Sequence, residues 1–513
     1  MPNFYALIGR IFLFTFFNLR IPVMKKILFL IALGIVLLIS VLLIRTALFT
    51  FTSKQIQVQP VADIPIDGEQ TAQRLSKALR FQTVSYQDST KFNGKVFQAF
   101  HAYLGHAFPN VHNSLKKEIC NNYSLLYTWQ GNDASRKPIL LMAHQDVVPV
   151  IPGTENDWVS SPFQGKMAEG YLWGRGALDD KSSLMGILEA VEALLQDGFQ
   201  PKRTVYLAFG HDEEIGGLQG AAKLAELLQS KAIQFEYVLD EGGAVVQGLI
   251  SGVSAPVALV GIAEKGYVSL ELTVNSEGGH SSMPPKHTAV GILSKAITKL
   301  EDNPFPANMA PTAQFLDYVG PMMPFPQKMV LANLWLFSPL VEYLLSKSPE
   351  MNAGIRTTTA ATMFSGSVKE NVLPIKATAV VNFRILPGEN VAGVINYVHK
   401  TIDDPRVQVR PLNFGSDPSP MSDIHSKSYK ILQKTIHQIS TDEEIIVAPY
   451  LVVGATDSRY FTALSDNVYR FMFNKVGPED LKRVHGTNER ISIENYAQAV
   501  KFYYQLLRNS EEL

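Results

Sequence analysis

Three short apolar runs in this 513-residue sequence end in the same chemistry. ILLMAH (139–144) is followed by Gln145 and Asp146, RTVYLAFG (203–210) by His211, Asp212, Glu213 and Glu214, and FEYVLDEGG (235–243) closes on Asp240 and Glu241. The runs read as core strands. Between them lie stretches with helical spacing, KSSLMGILEAVEALLQD at 181–197 and GAAKLAELLQS at 220–230. Strands and helices alternating in this way point to αβ units around a largely parallel sheet. Such sheets bind ligands at the carboxyl ends of their strands, so histidine and carboxylates are delivered to one rim.

The rim has further members. Asp179 and Asp180 open a helix after the Gly-rich turn GRGALDDK, and His485 lies far downstream in RVHGTNER. Gaps of 35, 35 and 26 residues separate His144, Asp179, Glu214 and Asp240, which suits successive αβ units. Each motif alone has a bland reading: a surface turn for His-x-Asp, a helix cap for Asp-Asp, a solvated strand end for Glu-Glu. Together the carboxylates would repel one another unless a multivalent cation held them. The count of groups suggests two ions. One bridging aspartate leaves each ion one histidine and one further carboxylate, with ions about 3.5–4 Å apart. Cys120 is the only cysteine, so sites built from several thiolates and intrachain disulfides are excluded. Imidazole plus carboxylate suits Zn2+, with Co2+ or Mn2+ as substitutes. One member of the Glu213-Glu214 pair is then free to move a proton between water and a leaving amine, and Asp212 caps or braces the turn. Asp146 is placed to accept the second ring N–H of His144 and fix its orientation.

Lys plus Arg number 46 and Asp plus Glu 47. That balance gives no support to nucleic-acid binding, and no usual Gly-rich phosphate cradle is present. The N-terminus is different in kind. After Lys25-Lys26 come 18 uncharged residues, 27–44, then Arg45. This length just spans a hydrocarbon core. With no Ala-x-Ala site behind it, an uncleaved single-pass anchor is favoured over a signal peptide. The excess of basic residues before the run places the remainder of the chain on the extracytoplasmic, periplasmic or lumenal side. Residues 3–19 are apolar and aromatic and read as a second membrane-contacting segment, unless Met24 is the true start. The expected organisation is an anchor (1–51), a linker (52–65), a catalytic domain in two parts (66–262 and 414–513) and, between them, a smaller domain (263–413) in β-α-β-β-α-β order. Within the insert, 304–346 is rich in Pro, Met and aromatic residues. It reads either as helices packed on the insert or as a greasy lid or membrane-facing surface.

The ordered set LLMAHQDVVPV, LWGRGALDDKSS, FGHDEEIGG, VLDEGG, GGHSSMPP, NVLP, ATDSRYF and HGTNERI resembles the M20 metallopeptidase family, over about residues 66–510. It is most similar to the branch that holds carboxypeptidase S and the N-fatty-acyl-amino-acid synthase/hydrolases. The resemblance implies an α/β zinc-peptidase domain with a mainly parallel sheet and an inserted ferredoxin-like lid or dimerisation domain. It implies that His144 and Asp240 bind one zinc and Glu214 and His485 the other, that Asp179 bridges them, and that Glu213 is the general base. Glu241 is the alternative to Asp240. The Asp179–Asp180 peptide is expected to be cis. His280 is implied to stabilise the oxyanion, often across a homodimer interface, and Asn371 to donate to the same intermediate. Arg459, and less strongly Arg384, are suited to gripping a substrate carboxylate bidentately. Gly279, Ser281 and Ser282 shape the turn around His280. The implied substrate is an N-acyl amino acid, including a fatty-acylated one, or a short peptide cut at its C-terminal residue.

Overall fold

A computed structural model describes residues 23–61, 64–441 and 444–513. The uncharged run lies in one helix, Val23–Leu48. Its segment Lys25–Leu48 is the helix among the described residues that is long and apolar enough on its own to cross a membrane. Residues 3–19, expected to form a second apolar segment, lie outside the described residues.

The large domain is built on a ten-stranded sheet. Ile139–His144 is flanked by Val205–Gly210 and Val238–Asp240, both parallel to it. Val238–Asp240 is followed in the sheet by Val468–Arg470, also parallel, and then by Val257–Glu264, antiparallel. The sheet is mixed, with the parallel strands at its centre. Its far edge is an antiparallel hairpin, Lys116–Cys120 with Ser124–Trp129. Ile139–His144 is thus the third strand in chain order.

Side-chain alternation explains why helices cover both faces. Ile139, Leu141 and Ala143 enter one core and Leu140 and Met142 the opposite one, as the period of two requires. The first core is closed by the helices Lys181–Gln196 and Ile493–Asn509, the second by Ala221–Ser230.

At Lys265 the chain leaves this sheet and begins another. Gly266–Asn275 is the first strand of a four-stranded sheet of Thr358–Ser365, Lys376–Ile385, Gly266–Asn275 and Gln408–Ser416, in that spatial order, every pairing antiparallel. Along Lys376–Ile385 alternate residues are buried, and these pack under the helices Ala289–Asp302 and Val391–Ile402. Thr288 and Asn390 cap those helices through their side chains. The return passage lies hard against the outgoing one. A Cβ at Gly266 would stand 2.6 Å from Ser416 O and from Pro418 N, so only glycine fits there. Lys265 is buried, and its Nζ donates to the carbonyls of Ala353 and Arg356, each at 2.9 Å.

Candidate metal centre

His144 ends its strand, Asp179 precedes the helix Lys181–Gln196, and Glu213 and Glu214 form a 3-10 turn after Val205–Gly210. Glu241 follows Val238–Asp240. His485 sits in the left-handed conformation (φ 59°) in the loop before Arg490–Ser492. The topology thus carries six side chains to one place. Asp179 is at the centre, with Oδ1 2.9 Å from His144 Nε2 and Oδ2 3.0 Å from His485 Nε2. His144 Nε2 continues to Glu241 Oε1 at 3.4 Å, and His485 Nε2 to Glu214 Oε2 at 3.2 Å. The order Glu241, His144, Asp179, His485, Glu214 is symmetric about one carboxylate. The Asp179–Asp180 peptide is cis, as expected.

Neighbouring residues of an extended chain face opposite ways, so only one of Asp240 and Glu241 can meet His144. That one is Glu241. Asp240 is the expectation the structure corrects: its Oδ2 accepts the N–H of Ser458 at 2.8 Å. Here Glu264 accepts from Thr456 N at 2.8 Å and lies 3.5 Å from Arg470 Nε. The ligand-like partner was the alternative in the pair, and Asp240 is the brace behind it.

Asp146 does two jobs. His144 Nδ1 meets its backbone carbonyl at 3.0 Å and its Oδ1 at 3.4 Å. The same carboxylate accepts the backbone N–H groups of Glu213 and Glu214, each at 3.1 Å. It fixes the imidazole and the neighbouring turn together. Glu213 shares a close group with His144 and Glu241, while Glu214 shares one with His144 and Asp179.

The electrostatics follow from burial. Desolvation pushes Glu213 well up, and desolvation with the nearby Asp179 charge puts Glu241 at about 7. Burial also opposes the charge on Asp179, but hydrogen bonds from His144 and His485 outweigh it and hold Asp179 low. Hydrogen bonds to Asp179 and Glu214 raise His485 to about 10. The two imidazole Nε2 atoms stand among the same oxygens that a divalent ion would draw together. The donor set fits such ions. Ligands about 2.0–2.2 Å from a tetrahedral ion lie about 3.3–3.6 Å from one another, a little longer than most of the contacts seen here. Asp179 offers one oxygen to each side.

One residue was missed from sequence. Glu489 is fully buried, and its Oε1 accepts N–H groups from Gly176 (3.1 Å), Leu178 (2.7 Å) and Asp179 (3.2 Å). Its Oε2 takes Arg175 Nη1 at 2.6 Å, and Arg175 Nη2 donates to Gly486 O at 2.8 Å. The pair ties the loop of Asp179 to the loop of His485. The available signal was an acid four residues after His485, in HGTNER.

The remaining expected residues lie outside the cluster. His280 is exposed on the strand Gly279–His280, which pairs with Val372–Leu373, and Ser281 N donates to Asn371 O at 3.1 Å. The smaller domain thus carries His280 and Asn371 side by side. Arg459 Nη2 donates to Gly216 O at 2.7 Å, beside the Glu213-Glu214 turn. Arg384 lies over the Tyr267 ring, 4.9 Å from its centre. Burial lowers the Arg384 guanidinium, and the positive charge of Arg459 lowers it further.

Residues 140–509 match the model of peptidase family M20/M25/M40. The chain belongs to the M20 family of metallopeptidases. It is 42% identical to a probable carboxypeptidase S-like 2 of Dictyostelium discoideum over 97% of this chain and 95% of that one. It is 43% identical to the N-fatty-acyl-amino acid synthase/hydrolase PM20D1 of Xenopus tropicalis, over 93% and 94%. An M20 family metallo-carboxypeptidase from Sulfolobus solfataricus shares the fold, with a TM-score of 0.63 and 18% identity over 86% of this chain and 99% of that one. The M20 chain described here falls in the carboxypeptidase S/PM20D1-like branch. It is a metal-dependent hydrolase of amide or peptide bonds, with a dinuclear-type site for acylated amino acid or peptide substrates.

Proposed function

We propose that this M20 enzyme is a membrane-anchored, extracytoplasmic di-zinc amidohydrolase that cleaves, or reversibly forms, the amide bond of N-acyl amino acids, fatty-acylated ones among them. The observation that carries the reading is the Asp179-centred ligand chain with one carboxylate, Glu213, left over. His144, Glu241 and Asp179 would hold one ion, and Asp179, His485 and Glu214 the other. When bound, two such ions supply Lewis-acid polarisation of a carbonyl and an activated water.

Glu213, raised by burial, takes a proton from the attacking water. Water oxygen joins the carbonyl carbon, the C–N bond breaks, and Glu213 returns the proton to the departing amine. The products are a carboxylic acid and a free amino acid, and condensation is the same path reversed. His280, with Asn371 beside it, stabilises the developing oxyanion. Because His280 is exposed on the smaller domain, it does so across a homodimer interface or by lid closure. Arg459, and less strongly Arg384, would grip the substrate's carboxylate bidentately. The β-α-β-β-α-β order supports reading residues 263–413 as a ferredoxin-like lid between the catalytic segments 66–262 and 414–513.

The relative named as an N-fatty-acyl-amino acid synthase/hydrolase supports the acyl reading, and the one named as carboxypeptidase S-like supports release of C-terminal residues as a second. The test is activity of the zinc-loaded full chain on N-oleoyl, N-acetyl and dipeptide forms of one apolar amino acid. Preference for the oleoyl form, with a loss of about 10²–10⁴ in kcat for Glu213→Ala, is expected. Preference for the dipeptide would move the assignment to a carboxypeptidase.

A further inference from the structure

The helix Leu334–Leu345 is built inside out. Its outward face carries Trp335, Leu336, Pro339, Leu340, Tyr343 and Leu344, one stripe at helical spacing. Trp335 is 57% exposed and Tyr343 59%. Polar Ser338 and Glu342 lie off this stripe, and both are partly covered. A helix facing water has the reverse pattern.

What lies beside it indicates the missing solvent. The helix meets Phe325–Ala332 at a bend of 116°, and the corner is bonded to the N-terminal helix. Arg45 Nε donates to Ala332 O at 3.2 Å, and buried Asn333 donates to Leu42 O at 3.2 Å. Leu42 lies six residues before the end of that helix at Leu48, or about 9 Å along its axis. Arg45, three residues on, ends the uncharged run, so the corner meets the helix at the edge of its apolar span, where interfacial helices bury their apolar face by about 5–10 Å. With 12 residues, the outer helix is about 18 Å long, too short to cross. Lys347 Nζ lies 4.4 Å from the Tyr343 ring centre, a cation and an aromatic ring at the helix end, as interfacial segments carry them.

We infer that the Phe325–Leu345 helix pair is a membrane wedge: it seats its apolar face in the acyl–headgroup boundary of the leaflet from which the N-terminal helix emerges. This rests on that helix being a membrane anchor. The inserted domain is thereby held against a lipid surface, where amphipathic acyl substrates partition.

The chain has four tryptophans, and Trp129, Trp158 and Trp173 are buried. Trp335 is therefore the one that can report on lipid. The full chain is reconstituted in phosphatidylcholine vesicles, and emission is compared with and without brominated phosphatidylcholine. Quenching is expected, stronger for bromine near the headgroup than near the chain end. It should be lost in Trp335→Phe and recovered when Tyr343→Trp is added to that variant. Unquenched emission from both probes, in protein that alkaline carbonate fails to strip from the vesicles, overturns the wedge alone. Unquenched probes with a dimer that Leu340→Asp splits overturn it in favour of a subunit contact. Release of the chain by carbonate overturns the anchor, and with it the wedge whose depth the anchor sets.

Discussion

Asp240 and Glu241 show how far one residue of register reaches. Both are acids at a strand end, yet one meets His144 and the other receives Ser458 N–H. Glu241→Ala is expected to lower bound metal by about one ion per chain, because it removes a ligand. Asp240→Asn, which keeps an acceptor for Ser458, is expected to retain the metal and lose stability instead. Metal content by plasma mass spectrometry, with melting curves, separates the two. The brace behind the site is open to the same approach. Glu489→Gln keeps the shape but weakens the acceptor for Arg175 and three N–H groups, and metal affinity is expected to fall about 10–100-fold in chelator titrations. His144, Asp179, Glu214 and His485 were legible on one rim, since each sits at a strand end or a motif-rich turn. The choice between Asp240 and Glu241 was not, because it depends on where the strand's last hydrogen bond falls. Glu489 was not, because its four partners come from a segment more than 300 residues earlier.

At the scale of elements, apolar periodicity made two long helices legible: Lys181–Gln196 and Ala221–Ser230 fall within a residue of where spacing put them. The hairpin Lys116–Trp129 escaped because its outer strand, KKEIC, has three charged residues in five and no buried one. Edge strands are often charged in this way. The passage between the two sheets carries its own pH dependence. Burial, with Arg384 nearby, lowers Lys265 from 10.5 to about 8. Between about pH 8 and 10.5 the unfolded chain binds the extra proton and the folded one does not, so stability rises with pH across this window. The rise is bounded at about 3 kcal/mol. Lys265→Met removes the group, and the pH slope of its denaturation midpoints should be flatter there than in the wild type.

For the whole molecule, the tight packing of the two crossings between the sheets was not legible in the sequence. Three-dimensional proximity of residues 264–266 and 416–419 leaves no trace in local pattern. If His280 works across a two-fold interface, a mixture of Glu213→Ala and His280→Ala chains, each inactive alone, should recover about a quarter of wild-type activity. Half the dimers are then mixed, and one of their two sites is intact. No recovery after subunit exchange would place His280 over its own chain's site.

Strand Val468–Arg470 is threaded into the middle of the large sheet, between Val238–Asp240 and Val257–Glu264, both made some 200 residues earlier. During synthesis, a chain that has emerged as far as the inserted domain has His144, Asp179, Glu214 and Glu241 but a sheet open along its centre. Pairings this remote close slowly and late. The ribosome must therefore release nearly the whole polypeptide before a hydrolase exists, so the tethered nascent chain cannot attack the amides around it while it is being made.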